Sequence, residues 1–476
     1  MSVNDVNDLI ENRTYDEISV GDEAHLEKRL TMEDIKLFAV MSGDVNPSHV
    51  DSDFAKSSRF QEVIAHGMWG GALISTVLGT QLPGPGTVYL GQTLKFKAPV
   101  RLGDVLRVSV RATEKDDQRH RITFACRCEN QRGDTVIEGE ASVLAPVKKI
   151  SRPRALLPKV RLTERGRLHE ILTAADRPEP MPTAVVHPVD QSAICGAVES
   201  AAQGLIIPVL VGPKGKIQLA AEKAQVDISA FELVDVPHSH AAAEQAVALA
   251  RQGRVGALMK GALHTDELLR EVLKRDTGLR TERCLSHVMA FDVPTYPRPL
   301  LITDAAINIY PKLAEKRDIV QNAIELAHAL GNDNPLVAIL SAVETVNPKI
   351  TSTIDAAALC KMAERGQITG GTLDGPLAFD NAVSEAAART KGIVSPVAGR
   401  ADILLAPDLE AANMLMKQLT HLADATGAGV VVGARVPIML TSRADDALTR
   451  MASSALALLL ADHQRRCGML GRTSGA

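Results

Sequence analysis

Two patterns of apolar positions follow one another along the chain. After Gly86, apolar side chains alternate with polar ones over three runs. This period of two is typical of strands with one buried face, and Gly-Asp pairs at 103–104 and 133–134 mark turns. We therefore predict an antiparallel meander with one face in the core. The alternating residues are Val88, Leu90, Leu94 and Phe96; Leu106, Val108 and Val110; and Ile122, Phe124, Cys126 and Cys128.

Two helices are predicted ahead of this meander. The segment from His66 to about Gly79 is rich in small residues and apolar on most sides, as a helix enclosed by a sheet would be. A shorter helix begins near Met32, where Thr31 and Asp34 have the spacing of a capping box. A helix wrapped by a curved antiparallel sheet is the hot-dog arrangement. We therefore predict an α+β hot-dog domain over residues 1–147.

A different pattern begins after residue 160, where short apolar runs alternate with helical stretches. Uninterrupted apolar runs between helices indicate parallel strands buried on both faces of a sheet. We therefore predict an α/β domain over residues 161–476. The segment 148–160 is basic, contains prolines and shows neither pattern, so it is predicted to be a linker. The apolar runs include Ala184–Val186, Ile206–Val211, Val255–Met259, Leu336–Leu340, Ile403–Ala406 and Val430–Val432.

Composition agrees with more than one folded domain. The 476 residues exceed what one hydrophobic core usually serves, and 45% of them are hydrophobic and 23% charged. The net charge of -4, without any block rich in Lys and Arg, gives no reason to expect a nucleic acid or a membrane surface as partner. Apolar runs are too short to span a bilayer, and the polar N-terminal segment lacks the features of a secretory signal. A cytoplasmic location is expected.

The six cysteines show no CxxC spacing and lie mostly in apolar or helical contexts. Buried, reduced thiols are therefore expected rather than disulfides or a zinc site.

The first candidate site is the segment SGDVNPSHVD, residues 42–51, which cannot continue the preceding helix and is predicted to be a structured loop. It places an acid, Asp44, and an imidazole, His49, five positions apart, and such a pair can hold one water between base and acid. Taken alone, an Asp and a His in a loop more often cap turns or face solvent. Downstream, however, IAHGM at 64–68 opens the central helix, whose free N–H groups can stabilise an oxyanion.

These segments resemble the MaoC-like (R)-specific enoyl-CoA hydratases, and GTQLPGPGTVYLGQ at 79–92 is also similar to that family. The resemblance extends over nearly all of the first 145 residues. It implies syn addition of water to a trans-2-enoyl-CoA, with Asp44 and His49 as the catalytic pair and no metal. The backbone near Gly67 would polarise the thioester carbonyl. The substrate-binding residues are expected to be Ser42, Asn46, His66 and Gly67. A non-hydrating acyl-thioester-binding domain is the alternative, because hot-dog folds also serve thioesterases.

Nucleotide-binding fingerprints fail in the second domain. GPKGKI at 212–217 lacks the spacing and the Ser/Thr of a P-loop, and Gly427 to Gly429 lead into a strand instead of following one. Four polar stretches remain, each just past a strand, where open α/β sheets place their ligands. Taken alone, each of them is more often a turn or a helix cap. They are KGALHT at 260–265, TDAAIN at 303–308, DGPLAFD at 374–380 and LTSRADD at 440–446.

From about residue 160 to about residue 460 the chain resembles the phosphate acetyl/butyryltransferases, through KGALHTDELLR, SHVMAFDVP, LITDAAINIYP, DGPLAFDNAVS and LTSRADD. The ending at 441–445 is more similar to the butyryl branch. The resemblance implies two lobes around a cleft, the far one at roughly 305–430, and direct acyl transfer between CoA and phosphate without a bound cofactor. Its implied roles are a hydrogen bond from Ser442 to the tetrahedral centre, phosphate binding by Arg443, and a carboxylate base, Asp446 or Asp445. Arg283 is the candidate second phosphate arginine, and Lys260 a further substrate contact.

The predicted function is therefore bifunctional: hydration of trans-2-enoyl-CoA to (3R)-3-hydroxyacyl-CoA, and reversible acyl transfer between CoA and phosphate. A hydratase fused to a non-catalytic acyl-CoA-sensing or oligomerising module is the alternative. Acyl-CoA and phosphate are the expected small-molecule partners. A homo-oligomer, dimer or higher, is expected because single hot-dog units complete their acyl groove across a dimer interface.

Overall fold

The chain separates into two units, Met1–Leu162 and Thr163–Ala476. A computed structural model describes residues 9–157, 160, 162, 166–175, 178–440 and 446–468. None of the helices in this described part has the length and hydropathy that a membrane span requires.

The N-terminal unit is a long helix packed against an antiparallel sheet, as the sequence predicts. The main sheet has the order β2-β5-β6-β7-β3, and β4 pairs with β7. Its helices are α1 (Met32–Ser42), α2 (Pro47–Val50), α3 (Ser52–Ser57) and α4 (Gly67–Thr80). Its strands are β1 (Leu9–Glu11), β2 (Glu23–Arg29), β3 (Val88–Gln92), β4 (Lys95–Phe96), β5 (Val105–Asp116), β6 (Arg121–Glu129), β7 (Thr135–Leu144) and β8 (Ser151–Pro153).

The core of this unit lies between α4 and the concave side of the sheet. Trp69, Ile74 and Val77 of the helix belong to the same buried cluster as the inward residues of β5, β6 and β7. The small residues of α4 permit this contact, because a Cβ on Gly70 would lie 2.3 Å from Cδ1 of Ile137. The predicted helix and its packing on the sheet are therefore confirmed, but α4 is not enclosed, because Met68, Ala72 and Thr76 on its other face are exposed. The capping box of α1 is also confirmed, since Asp34 N–H donates to Thr31 Oγ1.

Three features of the N-terminal unit differ from the sequence prediction. Val88 and Leu90 of the edge strand β3 and Phe96 of β4 are about half exposed, and none of them belongs to the core cluster. The loop at 42–51 contains a helical turn, since Asn46 caps a helix that begins at Pro47. The segment predicted to be a linker contributes β8, which pairs antiparallel with β1.

The C-terminal unit is an α/β structure with one long sheet in the order β11-β10-β9-β12-β19-β18-β13-β14-β17-β15-β16. Its strands are β9 (Met181–Val186), β10 (Ile206–Gly212), β11 (Glu232–Asp235), β12 (Ala257–Lys260), β13 (Ser286–Asp292), β14 (Leu300–Thr303), β15 (Leu336–Leu340), β16 (Thr372–Leu377), β17 (Ile403–Leu405), β18 (Thr426–Val432) and β19 (Ile438–Met439).

Helices follow most of these strands and complete the alternation. They are α5 (Arg167–Ala175), α6 (Gln191–Ala202), α7 (Lys214–Ala224), α8 (Ser239–Arg251), α9 (Thr265–Val272), α10 (Leu313–Ala329), α11 (Thr351–Glu364), α12 (Phe379–Val383), α13 (Glu385–Thr390), α14 (Leu409–Leu422) and α15 (Ala447–Arg466). The largest buried cluster joins α6, α10 and α15 with strands from both ends of the sheet.

The direction of the strands reverses in the middle of this sheet. β18 is antiparallel to β19 and to β13, and β14 is antiparallel to β13. The prediction of an all-parallel arrangement is therefore wrong for the run at 430–432. As a consequence, β12 and β19 point one way while β14, β17, β15 and β16 point the other way.

The cysteines are free thiols, as expected, and Cys126 and Cys128 are buried. Cys467 is exposed, which differs from the expectation. Burial raises the pKa of Cys284 to about 12, and the carboxylates of Asp318 and Glu315 act in the same direction. This thiol is therefore un-ionised at neutral pH and a poor nucleophile.

Candidate active sites

The first site begins with the loop that carries Asp44. Gly43 ends α1 in the left-handed conformation, at φ 75°, which turns the chain out of the helix. The N–H of Asp44 donates to Ser42 Oγ at 3.2 Å, and its carboxylate Oδ1 accepts from the N–H of Asn46 at 3.2 Å. Ser42 and Asn46 therefore shape this loop locally, while the Asp44 side chain remains exposed to solvent.

His49 lies half-buried at the end of α2, with Nδ1 2.9 Å from the carbonyl oxygen of Ile64. Because a carbonyl only accepts, this contact requires a proton on Nδ1. The neutral ring then carries its lone pair on Nε2, which is the form a general base needs.

His66 is buried at the position before α4, and its Nε2 lies 2.9 Å from the main-chain oxygen of Asp44. Its ring packs on the ring of His49, with centroids 4.0 Å apart and planes at 35°. Within the described residues, Nδ1 of His66 is buried and has no hydrogen-bond partner.

These three side chains form one compact group. A carboxylate oxygen of Asp44 and one ring nitrogen each of His49 and His66 all lie within 4.8 Å of one another. The tertiary fold therefore brings together the two residues that the sequence singles out as a pair, and adds the third. Such a group can hold a water molecule, and its donor types also suit a divalent transition metal.

The start of α4 lies beside this group, directly after His66. The first N–H groups of a helix have no partner within the helix, so Gly67 presents a backbone donor at its positive end. A Cβ on Gly67 would lie 3.0 Å from Cε1 of Phe96, so a side chain at this position requires the Phe96 ring to shift by a few tenths of an ångström. An acid, a base and an oxyanion donor are thus available at one site.

The second site is only partly within the described residues. Ser442, Arg443 and the alternative base Asp445 lie outside them, so their predicted roles stay predictions. Asp446 is described: it is exposed, and its carboxylate caps α15 by accepting from the N–H of Thr449 at 2.8 Å. A catalytic role for Asp446 would have to be compatible with this capping contact.

The two predicted cations of the transferase lie at opposite ends of the sheet's strands, one where strands of the β12 direction end and the other where they begin. Lys260 ends β12, beside the end of β19, and its Nζ donates to the carbonyls of Gly261 and Leu263 at 3.2 and 3.3 Å. Arg283 precedes the start of β13, which runs in the same direction, and forms an ion pair with Glu325 of α10. Because β12 and β14 run in opposite directions, the polar stretches at 260–265 and 303–308, which follow these strands, lie at opposite ends of the sheet's strands.

Asp304 organises the stretch at 303–308, a role that sequence reasoning did not assign. Its buried carboxylate accepts from the N–H groups of Ala306, Ile307 and Asn308 at 3.0 to 3.1 Å, and from the Asn308 amide at 2.6 Å. His287 lies beside it in β13, fully enclosed, and burial lowers the pKa of this imidazole although Asp304 opposes the shift. The sequence signal for this role was an Asp at the end of a strand, followed by a turn that does not begin a helix.

Two family profiles match the chain. The profile of the MaoC like domain covers residues 18–132, and that of the phosphate acetyl/butaryl transferase family covers residues 238–458. The N-terminal unit aligns with the R-hydratase of Pseudomonas aeruginosa at 45% identity, over 33% of this chain and 99% of that one, with a TM-score of 0.32.

The C-terminal unit aligns with known transferases over almost the whole length of those proteins. It is 61% identical over 298 residues to the phosphate acetyltransferase of Rhizobium meliloti, covering 62% of this chain and 94% of that protein. A branched-chain phosphotransacylase of Enterococcus faecalis is 30% identical, with a TM-score of 0.52, over 59% of this chain and 99% of that one. The chain is an enzyme that belongs to the phosphate acetyl/butyryltransferase family, with a MaoC-like hot-dog domain preceding the transferase.

Proposed function

We propose that the protein is bifunctional: its N-terminal unit hydrates trans-2-enoyl-CoA to (3R)-3-hydroxyacyl-CoA, and its C-terminal unit transfers acyl groups between CoA and phosphate. The observation that carries the first activity is the grouping of Asp44, His49 and His66 within 4.8 Å, beside the first N–H groups of α4. The high identity to a phosphate acetyltransferase over 94% of its length supports the second activity.

In the proposed hydration, the water oxygen bonds to C3 of the enoyl group while one water proton passes to the Asp44–His49 pair. A proton from the pair bonds to C2, so the double bond is consumed and the enzyme returns to its starting state. Negative charge develops on the thioester oxygen during this step. The N–H of Gly67 would stabilise that charge, as donors at helix starts do.

In the proposed transfer, a phosphate oxygen attacks the acyl carbon and the bond from that carbon to the CoA sulfur breaks. The proton lost by the phosphate passes through the carboxylate base, Asp446 or Asp445, to the departing sulfur, giving acyl phosphate and the free thiol. Arg443 would bind the phosphate and Ser442 would hydrogen-bond the tetrahedral centre. The 61% identity to an acetyltransferase, against 43% to 46% to butyryltransferases, supports acetyl-CoA as substrate, whereas the sequence at 441–445 favours butyryl.

A homo-oligomer is part of this proposal. The edge strand β3 leaves Val88 and Leu90 about half exposed on the N-terminal unit, and an apolar edge of this kind can pair with a second copy. The small-molecule partners would be CoA thioesters and inorganic phosphate.

The change Asp44→Asn tests the hydratase assignment. The amide oxygen can still accept from the N–H of Asn46, so the loop is retained, but the carboxylate that exchanges protons is lost. We expect kcat for crotonyl-CoA hydration to fall by about 10²- to 10⁴-fold. Phosphate-dependent thiol release by the same sample serves as its internal control. Full hydratase activity in this variant would refute the assignment.

A further inference from the structure

His66 is placed where it does not face a bound thioester directly. Its side chain belongs to a residue that is 3% exposed, and Nε2 is engaged with the main-chain oxygen of Asp44 at 2.9 Å. The other ring nitrogen, Nδ1, is also buried and has no partner among the described residues. Neither nitrogen is therefore accessible to a thioester, in contrast to the substrate-binding role expected from the sequence.

The same side chain connects the loop of Asp44 to the rest of the N-terminal unit. The other hydrogen bonds of residues 43–46 within the described part of the chain run to residues 39–49. His66 is 22 positions away from Asp44, so its Nε2–H is a long-range anchor for this loop. Neighbouring Val45 is 71% exposed, so packing adds little to that anchor.

His66 also supports the base. Its ring contacts two others, with the centroid of His49 at 4.0 Å and that of Phe38 at 5.1 Å. His49 is held at Nδ1 by the carbonyl of Ile64, two residues before His66. One short segment at the start of α4 thus determines the position of both members of the catalytic pair.

We infer that His66 is a positioning residue for the proposed hydration, which fixes the Asp44 backbone and the His49 ring without touching the substrate. This inference rests on the proposed function. A residue of this kind affects the geometry of the reacting groups, and displacements near 1 Å can reduce a rate by about 100-fold. Its loss should therefore lower kcat and leave substrate binding intact.

Two substitutions separate the hydrogen bond from the ring. His66→Phe keeps an aromatic ring against His49 and Phe38 but has no donor, whereas His66→Gln keeps an N–H donor near the position of Nε2 and lacks the ring. His25→Phe makes the same change at an exposed position of β2 and is the matched control. If H66F fails to fold, by circular dichroism, His66→Met provides a flexible apolar side chain without a donor.

In crotonyl-CoA hydration we expect H66F to lower kcat by about 10- to 100-fold with KM unchanged, H66Q to recover most of the lost rate, and H25F to match the unmodified protein. A raised KM with unchanged kcat would show substrate contact instead and would overturn the inference. Equal losses in H66F and H66Q would also overturn it, because the hydrogen bond would then have no separate role.

A second measurement does not depend on activity. Hydrogen exchange followed by mass spectrometry should show faster exchange at residues 43–51 in H66F than in H66Q or H25F, because the loop loses its anchor. Unchanged exchange in H66F would overturn the inference. An unmodified protein that does not hydrate crotonyl-CoA would refute the proposed function, and the exchange result would still decide whether His66 holds the loop.

Discussion

At the residue scale, both histidines of the N-terminal site donate one ring N–H to a backbone carbonyl. His49 donates to Ile64 and His66 donates to Asp44, each at 2.9 Å. A backbone acceptor determines which ring nitrogen carries the proton, and the tautomer of each neutral ring is therefore set by the fold. In the proposed hydration, this arrangement leaves Nε2 of His49 and the carboxylate of Asp44 for proton exchange with water.

Chelation of metal ions is expected to leave hydration unchanged. The group of Asp44, His49 and His66 has donor types that a transition metal accepts, but the proposed reaction obtains its base from the pair and its oxyanion donor from α4. We expect equal kcat for crotonyl-CoA hydration before and after incubation with EDTA. Activity that is lost with EDTA and restored by a divalent cation would contradict this expectation.

The backbone N–H of Gly67 can be removed without changing a side-chain contact of the pair. Proline is favoured at the first position of a helix, and His66 already has the extended backbone, φ -58° and ψ 134°, that a following proline requires. We therefore expect Gly67→Pro to fold and to lower kcat by about 10²- to 10³-fold, as for the loss of one oxyanion donor.

Gly67→Ala is the control for this change, because it keeps the N–H while adding the Cβ that approaches Phe96. Steady-state hydration of crotonyl-CoA measures both variants. If alanine reduces kcat as much as proline does, the contact with Phe96 and not the missing donor explains the loss.

At the element scale, β7 packs closely against the chain segment just before β4. A Cβ on Gly139 would lie 1.9 Å from the main-chain oxygen of Thr93, whereas a Cβ on Gly91 in β3 meets nothing within 4 Å. Thr93 also donates its N–H to the carbonyl of Glu140, at 2.9 Å. Room for a side chain is therefore absent at one glycine and present at the other.

We expect Gly139→Ala to destabilise the N-terminal unit by about 1–3 kcal/mol or more, because the backbone at Thr93 has to move. Gly91→Ala should change its stability by much less. Urea unfolding followed by circular dichroism, together with hydratase activity as a marker of this unit, measures the difference. Equal stability of the two variants would contradict the packing argument.

At the scale of the whole molecule, the two units carry separate chemistry on one chain. The group of Asp44, His49 and His66 lies in the unit that ends at Leu162, and the residues proposed for acyl transfer belong to the unit that begins at Thr163. Each of the two has its own buried core cluster. Damage to one active site is therefore expected to leave the other reaction intact.

Ser442→Ala tests this independence together with the transferase assignment. We expect phosphate-dependent release of CoA from acetyl-CoA, followed as free thiol, to fall by about 10²- to 10³-fold while crotonyl-CoA hydration is unchanged. Asp44→Asn should give the opposite pattern. Thiol release that does not need phosphate, or none at all in the unmodified protein, would favour a non-catalytic acyl-CoA-sensing unit.

Local patterns were sufficient to predict the elements and the residue types of the first site. The period of two predicted β5 and β6, the small-residue stretch predicted α4, and the spacing of Thr31 and Asp34 predicted the start of α1, whereas β7 was not among the predicted runs. Each of these depends on neighbours within a few positions, so a single sequence contains the information. The pairing of Asp44 with His49 was predictable for the same reason.

Only the tertiary structure decided which residues and strands become neighbours of these elements. The contact of His66 with Asp44 spans 22 positions, the exposure of β3 depends on its place at the sheet edge, and the reversal at β18 depends on which strands become neighbours. Apolar runs look alike in parallel and antiparallel strands that are buried on both faces, so the sequence could not show the reversal. Long-range pairing determines these features, whereas local spacing determines which residues are available for them.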